Sequence, residues 1–440
     1  MDGVLLLLSG VLSLLFFAYL ISGRDIMSPS VVMCLMFTLS CIITALNCRN
    51  WGVELGASSV LILLSGIFTF ILSEGIVRLG CRSAARSNEY RSFGGGFAVQ
   101  KGMLDVLILA DVLILALYYL AIRRIVGGSS LAMHRVFALY RRLGIRRHAG
   151  ADVRTVGGAV AQAVKLVLSS GYCAAYLLIQ HMIAKSRDTW LLIRFGVLII
   201  LSCAPSMMIS GRTSILQLIC AVMVYYYVLW HQRYGWHRNL SARYAGIALL
   251  LLLIGIPLFY YSLKYLGRST DRPMFEYFSA YVGGSIVLFD QYVRDPVPCL
   301  GFGEESLVGI RKLLAFLGLG SASTSYNLEI RKIGMGLGNV YSFFRRPYHD
   351  FGLGGMYVFT VLIAVLFSSM YYGHIKGRPL CMHTAYWTLA YGYLFFWIII
   401  SSIDQYSSSY VSVGTVMIIT VILLMFQGMV RLRVIIRRRM

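Results

Sequence analysis

Long apolar runs recur along almost the whole chain and set its expected architecture. Eleven of them approach the roughly 20 residues that a helix needs to cross the hydrocarbon core of a bilayer. They cover residues 3–22, 30–46, 57–78, 102–122, 157–184, 190–209, 213–230, 245–262, 352–372, 383–401 and 410–430. Because lipid offers no hydrogen-bond partner to an open strand edge, each run is expected to form an α-helix. The pattern predicts an all-α polytopic integral membrane protein in which residues 1–440 form a single transmembrane helical bundle.

Composition supports this class and excludes others. Hydrophobic residues make up 58% of the 440 residues and charged residues 13%, whereas a soluble domain is about 25% charged. A soluble enzyme, a disordered chain and a disulfide scaffold are therefore excluded. The nine cysteines show no C-x-x-C spacing, so we interpret them as small apolar fillers and predict no metal site.

The net charge of +22 comes from 40 Lys and Arg against 18 Asp and Glu. In a membrane protein such an excess belongs to cytoplasmic loops that face anionic lipid, so we expect a lipid bilayer and no nucleic acid as a partner. The tail carries Arg431, Arg433, Arg437, Arg438 and Arg439, which places it in the cytoplasm. Counting spans back from there places the long segment 263–351 outside.

The charge of one basic segment does not agree with the side of the membrane that this count gives it. Segment 123–156 holds Arg123, Arg124, Arg135, Arg141, Arg142, Arg146, Arg147 and Arg154 against Asp152 alone, yet the count places it outside. Val136, Leu139, Tyr140 and Leu143 follow an i, i+3, i+4, i+7 pattern, which predicts an amphipathic surface helix. Two interpretations stay open: a cytoplasmic loop after a miscounted span, or an external basic surface for a phosphorylated lipid.

Ionisable residues inside the spans are candidates for function. Glu74 and Arg78 are spaced i, i+4, and Asp105, Lys165 and Arg194 lie in later spans, together with Asp111. Since no helix carries a run of paired acids, structural pairing is favoured over an ion path.

Segment 263–351 is the most informative stretch. It carries eight of the 18 acidic and ten of the 40 basic residues, together with many aromatic residues. Aromatic rings that cover sugar faces, carboxylates that accept from hydroxyls and arginines that hold phosphate are what a site for a phosphorylated sugar needs. The alternative is a folded loop with ordinary surface charges.

Several short motifs in a fixed order resemble those of one family. They are RDIMSP at 24–29, SGRT at 210–213, YVGGSI at 281–286 followed by Asp290, GFGE at 301–304, and NVY at 339–341 followed by DFGLGG at 350–355. The chain resembles the oligosaccharide repeat-unit polymerases, the Wzy or O-antigen polymerase family. Ser342 stands where Thr is common in that family, and His349 is not typical of it.

The resemblance implies a metal-independent, GT-C-like glycosyltransferase without a cofactor, in the bacterial inner membrane. Such enzymes move a growing chain from undecaprenyl pyrophosphate onto the next lipid-linked repeat unit, at the periplasmic or outer face. Donor and acceptor are both undecaprenyl-pyrophosphate-linked oligosaccharides, and the product is O-antigen, capsule or exopolysaccharide. The family often works with a chain-length regulator. The large external loop 263–351 would carry the active site.

Chemical roles follow from this resemblance. We expect Arg212 to stabilise the pyrophosphate leaving group, with Arg345 and Arg346 as further phosphate clamps. Asp350 and His349 are the candidate bases for the acceptor hydroxyl. Glu304 and Asp290 are alternative bases or orient sugar hydroxyls. We expect the sugar path to be lined by Tyr281, Tyr341 and Tyr348.

Three other functions compete with the polymerase. An O-antigen ligase would join polymer to lipid A core, although the ending from 339 to 355 favours the polymerase. A non-enzymatic flippase or transporter of lipid-linked sugar would need charges that line a central cavity. A scaffolding protein would not need Arg212 and Asp350 together.

Overall fold

A computed structural model describes residues 2–85, 96–127, 132–148, 153–209, 211–237, 260–261, 273–320, 328–334 and 336–431. The structure is 76% helical. Eight of the described helices are long and apolar enough to cross a membrane. The prediction of an all-α polytopic membrane protein is thereby confirmed at the level of fold class.

The helices and strands follow in chain order. The first half contains α1 (Asp2–Ile21), α2 (Pro29–Leu46), α3 (Cys48–Trp51), α4 (Ala57–Ala85), β1 (Ala98–Val99), α5 (Lys101–Val126), α6 (Met133–His148), α7 (Gly158–Ile183), α8 (Thr189–Met208) and α9 (Thr213–Tyr234). The second half contains α10 (Met274–Val282), α11 (Gly284–Arg294), α12 (Val308–Phe316), β2 (Arg331–Ile333), β3 (Gly336–Gly338), α13 (Arg345–Ser368), α14 (Met382–Leu394), α15 (Phe396–Ile399), α16 (Ser407–Tyr410), α17 (Val413–Met429) and β4 (Val430–Arg431). A π-helical turn, Ser369–Ile375, continues α13.

The predicted spans match these helices unevenly. The first seven predicted runs coincide with α1, α2, α4, α5, α7, α8 and α9, and the ninth covers most of α13 and the start of the π-helical turn. The run 383–401 is divided between α14 and α15, and α17, with 17 residues, is shorter than the run 410–430. The run 245–262 lies almost entirely outside the described residues.

Backbone contacts divide the chain into two compact units. The first unit contains residues 1–88, 272–374 and 394–415, and the second contains 89–271, 375–393 and 416–440. In the first unit α4 and α13 run in the same direction, as two hydrogen bonds between them show. Near their starts, the hydroxyl of Ser65 lies 2.7 Å from the hydroxyl of Tyr357. Near their ends the Tyr372 hydroxyl donates to Glu74 Oε1 (2.9 Å).

The segment that precedes α13 folds onto one end of the first unit. Val287 of α11 packs in a cluster with Val4, Cys48 and Val53, which lie at the start of α1 and beside α3. The antiparallel pair β2–β3 adds Ile333 to a second cluster with Leu288, Tyr292, Leu328 and Tyr341. These short elements therefore form a compact layer at the end of the unit where α13 begins.

The second unit is built around α5, α7, α8 and α9. Strand β1 pairs with β4, and the N–H of Gln100 donates to the carbonyl of Met429 (2.9 Å), so α5 begins beside the end of α17. Asp105 of α5 forms a salt bridge with Arg194 of α8 (2.6 Å), as expected for structural pairing of charges within spans. Helix α6 follows α5 as the amphipathic pattern predicts, with Val136 and Tyr140 buried against Tyr118 and Ile122.

Candidate functional site

The first turn of α13 gathers four of the candidate residues. Arg345, Arg346, His349 and Asp350 lie within six residues, and all four are buried. The turn ends at Gly352, whose φ of +68° kinks the helix before its membrane-spanning part. Since nothing lies within 4 Å of a Cβ built at this glycine, the backbone conformation and not the space requires it.

Arg345 is the centre of the site. Its side chain is fully buried and forms salt bridges with Glu305 and with Glu329, where the Nη2–Oε2 distance is 2.5 Å. The guanidinium also lies over two aromatic rings, 4.3 Å from the centroid of Tyr292 and 5.3 Å from that of Tyr341. A buried cation is tolerated only when it is paired, and here two carboxylates and two rings surround it.

His349 links a carboxylate to a phenol. Its Nε2 lies 2.7 Å from Glu304 Oε1, and its Nδ1 lies 2.9 Å from the hydroxyl of Tyr292. A carboxylate at one nitrogen and a hydroxyl at the other fix the ring orientation and its tautomer. The chain Glu304–His349–Tyr292 is thus a relay through which a proton can be taken up at one end.

Asp350 organises the loop that bears the glutamates. One carboxylate oxygen accepts from the backbone N–H of Glu305 (3.1 Å) and the other from that of Ser306 (2.6 Å). Both oxygens are therefore engaged by the backbone just beyond Glu304. These contacts describe a positioning residue that holds the loop against the first turn of α13.

The two neighbouring glutamates have different acidities. Burial raises the pKa of Glu304, but hydrogen bonds from His349 and from the N–H of Leu300 outweigh it, so this pKa lies below its ordinary value. Burial raises the pKa of Glu305 above its ordinary value even though Arg345 favours the carboxylate. Burial also raises the pKa of Tyr292 to about 12. Opposite shifts in adjacent carboxyl groups are typical of sites that transfer protons.

Arg346 contacts the segment between α15 and α17. Its Nε donates to Asp404 Oδ1 (3.2 Å), an oxygen that also accepts from the N–H of Gln405 (2.7 Å). Within the described part of the chain, Nη1 of Arg346 and Nε2 of Gln405 are buried donors without a hydrogen-bond partner. The same holds for the hydroxyls of Ser401 and Ser402. Buried donors without a partner can bind an anion by donating hydrogen bonds to it.

Potential metal ligands also meet here. One ligand atom each of Cys299, His349 and Asp350 lie within 4.8 Å of one another. However, both ring nitrogens of His349 and both oxygens of Asp350 already have hydrogen-bond partners. A metal ion would have to displace the hydrogen bond of His349 to Glu304 or to Tyr292. The hydrogen bonds present therefore favour a proton relay over a metal site.

The remaining candidates lie apart or at the margin. Asp290 accepts from the N–H of Gly56 (2.7 Å) and pairs with Arg294 (2.9 Å), which indicates a structural role. Tyr348 packs on the Tyr292 cluster, whereas Tyr281 is 44% exposed on α10. Arg212 belongs to the second unit, where it is buried at the start of α9, and its role at this site stays a prediction.

Four site residues were not singled out from the sequence. Glu305 and Tyr292 stand beside predicted residues, and Glu329 and Asp404 are distant in sequence from α13. The adjacent pair Glu304–Glu305 was a usable signal, because two neighbouring carboxylates repel each other and so differ in pKa. Nothing in the sequence near Asp404 connects it to Arg346.

The fold and the site thus define a polytopic membrane protein with a buried cluster of charged and aromatic residues at one end of a helical unit. Comparison with protein-family models, with curated proteins and with solved structures gives no match.

Proposed function

We propose that the chain polymerises lipid-linked oligosaccharide repeat units in bacterial surface polysaccharide synthesis. The observation that carries the proposal is the position of the Arg345 cluster. Arginines, carboxylates, a histidine and aromatic rings gather where a membrane-spanning helix begins, within reach of a head group whose tail stays in lipid. The ordered motifs from 24 to 355 that resemble the Wzy family support the same function.

The two arginines take different roles in this proposal. Arg345 is held by Glu305 and Glu329, so it organises the carboxylates. Arg346 keeps a buried Nη1 donor without a partner among the described residues, and the donors of Gln405 and Ser402 belong to the segment that it contacts. Arg346 therefore binds the pyrophosphate and stabilises the charge that develops as it leaves. The corresponding role of Arg212 stays a prediction from the sequence.

The Glu304–His349 pair acts as the base. It removes the proton from the acceptor hydroxyl as that oxygen forms a bond to the anomeric carbon of the donor sugar. The bond from this carbon to the pyrophosphate breaks, and lipid pyrophosphate leaves. Such a base contributes about 10²–10⁴-fold to the rate. Asp350 holds the loop that carries Glu304, and the half-buried Tyr348 lines the sugar path. Tyr341, expected from the sequence to line this path, is fully buried against Arg345 and instead supports the site.

The proposal includes a location. Eleven crossings of the bacterial inner membrane would place the start of α13 at the periplasmic face, where lipid-linked repeat units are joined. Undecaprenyl-pyrophosphate-linked oligosaccharides are the donor and the acceptor, and a chain-length regulator is an expected partner.

The test uses a host that carries the matching sugar-assembly genes but lacks its own copy of this one. Wild-type protein should yield a ladder of surface polysaccharide. Glu304→Gln and Arg346→Lys should each reduce the ladder to single repeat units, because they remove the base and a phosphate contact. Arg212→Ala tests separately the phosphate role that the sequence predicts for Arg212. Protein levels in the membrane are measured alongside.

Matched controls come from the same end of the first unit. Glu54 and Arg49 are exposed, so Glu54→Gln and Arg49→Lys should leave the ladder unchanged. Long lipid-linked polymer that is not transferred to lipid A core would indicate a ligase instead. Repeat units trapped on the cytoplasmic face would indicate a flippase, and the polymerase proposal would be abandoned.

A further inference from the structure

The basic helix α6 lies at the opposite end of the second unit from the C-terminal strand. Helix α5 begins beside Met429 through the β1–β4 pair and then runs for 26 residues, about 39 Å at 1.5 Å per residue. That length exceeds the roughly 30 Å hydrocarbon core. The apolar residues of α6 pack against the second half of α5 and against Met208 at the end of α8.

This placement opposes two arginine-rich segments across the bilayer. The tail that follows β4 carries Arg433, Arg437, Arg438 and Arg439, and segment 123–156 carries eight arginines. Since α5 separates them, both cannot be cytoplasmic. The end of α9, with Arg233, and the start of α5, with Lys101, add to the charge on the side of the tail. The positive-inside rule therefore assigns the tail to the cytoplasm and α6 to the outer side.

Three arginines of α6 form a stripe that the rest of the unit does not cover. Arg135, Arg142 and Arg146 are exposed, and their spacing of i, i+7, i+11 places them within about 40° of one another around the helix axis. Val136 and Tyr140, which are buried, lie on a different face. The stripe extends about 16 Å along the helix, longer than a single pyrophosphate.

We propose that this arginine stripe binds the phosphate groups of anionic phospholipids in the outer leaflet. The charge is complementary, and the length suits a row of head groups, whereas one lipid-linked pyrophosphate would reach only part of it. Helix α6 then fixes the depth of the second unit in the bilayer. The proposal does not depend on the polymerase function.

The first test measures which phospholipids stay bound to the full-length protein in native mass spectrometry. Wild type should retain phosphatidylglycerol over phosphatidylcholine. The triple variant Arg135→Gln, Arg142→Gln, Arg146→Gln should lose this preference, by about fivefold per arginine and on the order of 100-fold in all at low salt. The corresponding triple Lys variant keeps the charge and should keep the preference.

Equal retention by wild type and the triple Gln variant would overturn the proposal, as would a loss in the Lys variant as large as that in the Gln variant. Unchanged phosphatidylglycerol retention together with loss of the polysaccharide ladder in the triple Gln variant would also overturn it, because the stripe would then serve the lipid-linked substrate.

A second test measures the side of the membrane. Cys299 is exposed, so Arg142→Cys is introduced in a Cys299→Ser background. A membrane-impermeant thiol reagent applied to the outer face should label this variant, and the Cys299→Ser parent provides the background. Labelling that appears only after permeabilisation would place α6 in the cytoplasm and overturn the inference.

Discussion

Arg345 shows how a buried charge organises its surroundings. A guanidinium is always protonated, so its burial is tolerable only with carboxylates and rings close by. Glu305 and Glu329 provide the carboxylates and Tyr292 and Tyr341 the rings. These groups come from four separate stretches of the chain, so the cation fixes the tertiary arrangement of the loop. The carboxylate of Glu305 is held by this pair and responds to pH through it.

The proposed polymerase activity should depend on pH through Glu305. Burial raises the pKa of Glu305, although Arg345 favours the carboxylate. As the pH falls, Glu305 therefore binds a proton at a higher pH than a solvated glutamate, whose pKa is about 4.3, and Arg345 loses one of its partners. The polymerisation rate of purified protein in vesicles should fall on the acid side above that value.

Two variants test whether Glu305 causes this fall in rate at low pH, which is the acid limb of the pH profile. Glu305→Gln should lower the rate at neutral pH and abolish the limb, while the exposed control Glu54→Gln should retain it. An acid limb of the same midpoint in Glu305→Gln would assign the titration to another group.

At the scale of residues, the sequence singled out about half of the side chains that meet in the candidate site. The cluster Arg345, Arg346, His349 and Asp350 was predictable, because charged residues directly before an apolar run are expected at the membrane surface. The sequence could not show that Asp350 is a positioning residue and that Glu304 is the partner of His349. This distinction depends on which atoms accept the backbone N–H groups of Glu305 and Ser306. Asp404 reaches Arg346 only through tertiary folding.

Helix α13 combines two departures from regular α-helical geometry. Gly352, with a φ of +68° and a ψ of −168°, lies near its start, and the π-helical turn Ser369–Ile375 lies at its end. The π-turn directs Tyr371 to Asp25 (2.7 Å) and Tyr372 to Glu74 (2.9 Å). These bonds fix the far end of α13 to the loop after α1 and to α4. With that end fixed, the kink at Gly352 determines where the first turn of α13 presents its charged residues.

Substitution of Gly352 should therefore impair both stability and activity. A φ of +68° with a ψ of −168° lies in a region that is essentially restricted to glycine and costs a residue with a Cβ about 1–3 kcal/mol, so Gly352→Ala should lower the midpoint of thermal unfolding. It should also lower the polymerisation rate, because relief of the strain reorients Arg346 and His349.

The matched control is Gly354→Ala in the same helix. At Gly354 φ is not left-handed and nothing lies within 4 Å of an added Cβ, so this substitution should be neutral or slightly stabilising. Equal midpoints for the two variants would contradict a role for the Gly352 conformation.

At the scale of elements, hydrophobic periodicity was a reliable guide where helices are long. The boundaries of α1, α2, α5, α7, α8 and α9 agree with the apolar runs, because lipid requires continuous helix there. The division of the run 383–401 at Phe395 was not predictable, since the residues on both sides are equally apolar. Helix α3 and the β2–β3 pair gave no periodic signal because they are only three or four residues long.

The directions of two helices in the first unit determine whether the number of membrane crossings between them is odd or even. Because α4 and α13 run in the same direction, the chain must cross the membrane an odd number of times between them. Four candidate spans lie between them among the described residues: α5, α7, α8 and α9. The described helices of 273–344 contain 9, 11 and 9 residues, too few for a crossing. We therefore predict a fifth crossing between the end of α9 and residue 273, in a stretch that lies almost entirely outside the described residues.

This crossing corresponds to the apolar run 245–262 and can be tested with reporter insertions. Reporters placed after Gly235 and after Val297 should lie on opposite sides of the membrane. Insertions after Asn50 and Gly377 calibrate the method, because they follow the end of α2 and the end of the π-turn, which lie at opposite ends of the first unit. If the calibration pair separates and the test pair reports the same side, then 245–262 does not cross. One of α5, α7, α8 and α9 would then fail to span the membrane, and the outer position of α6 would have to be derived again from that count.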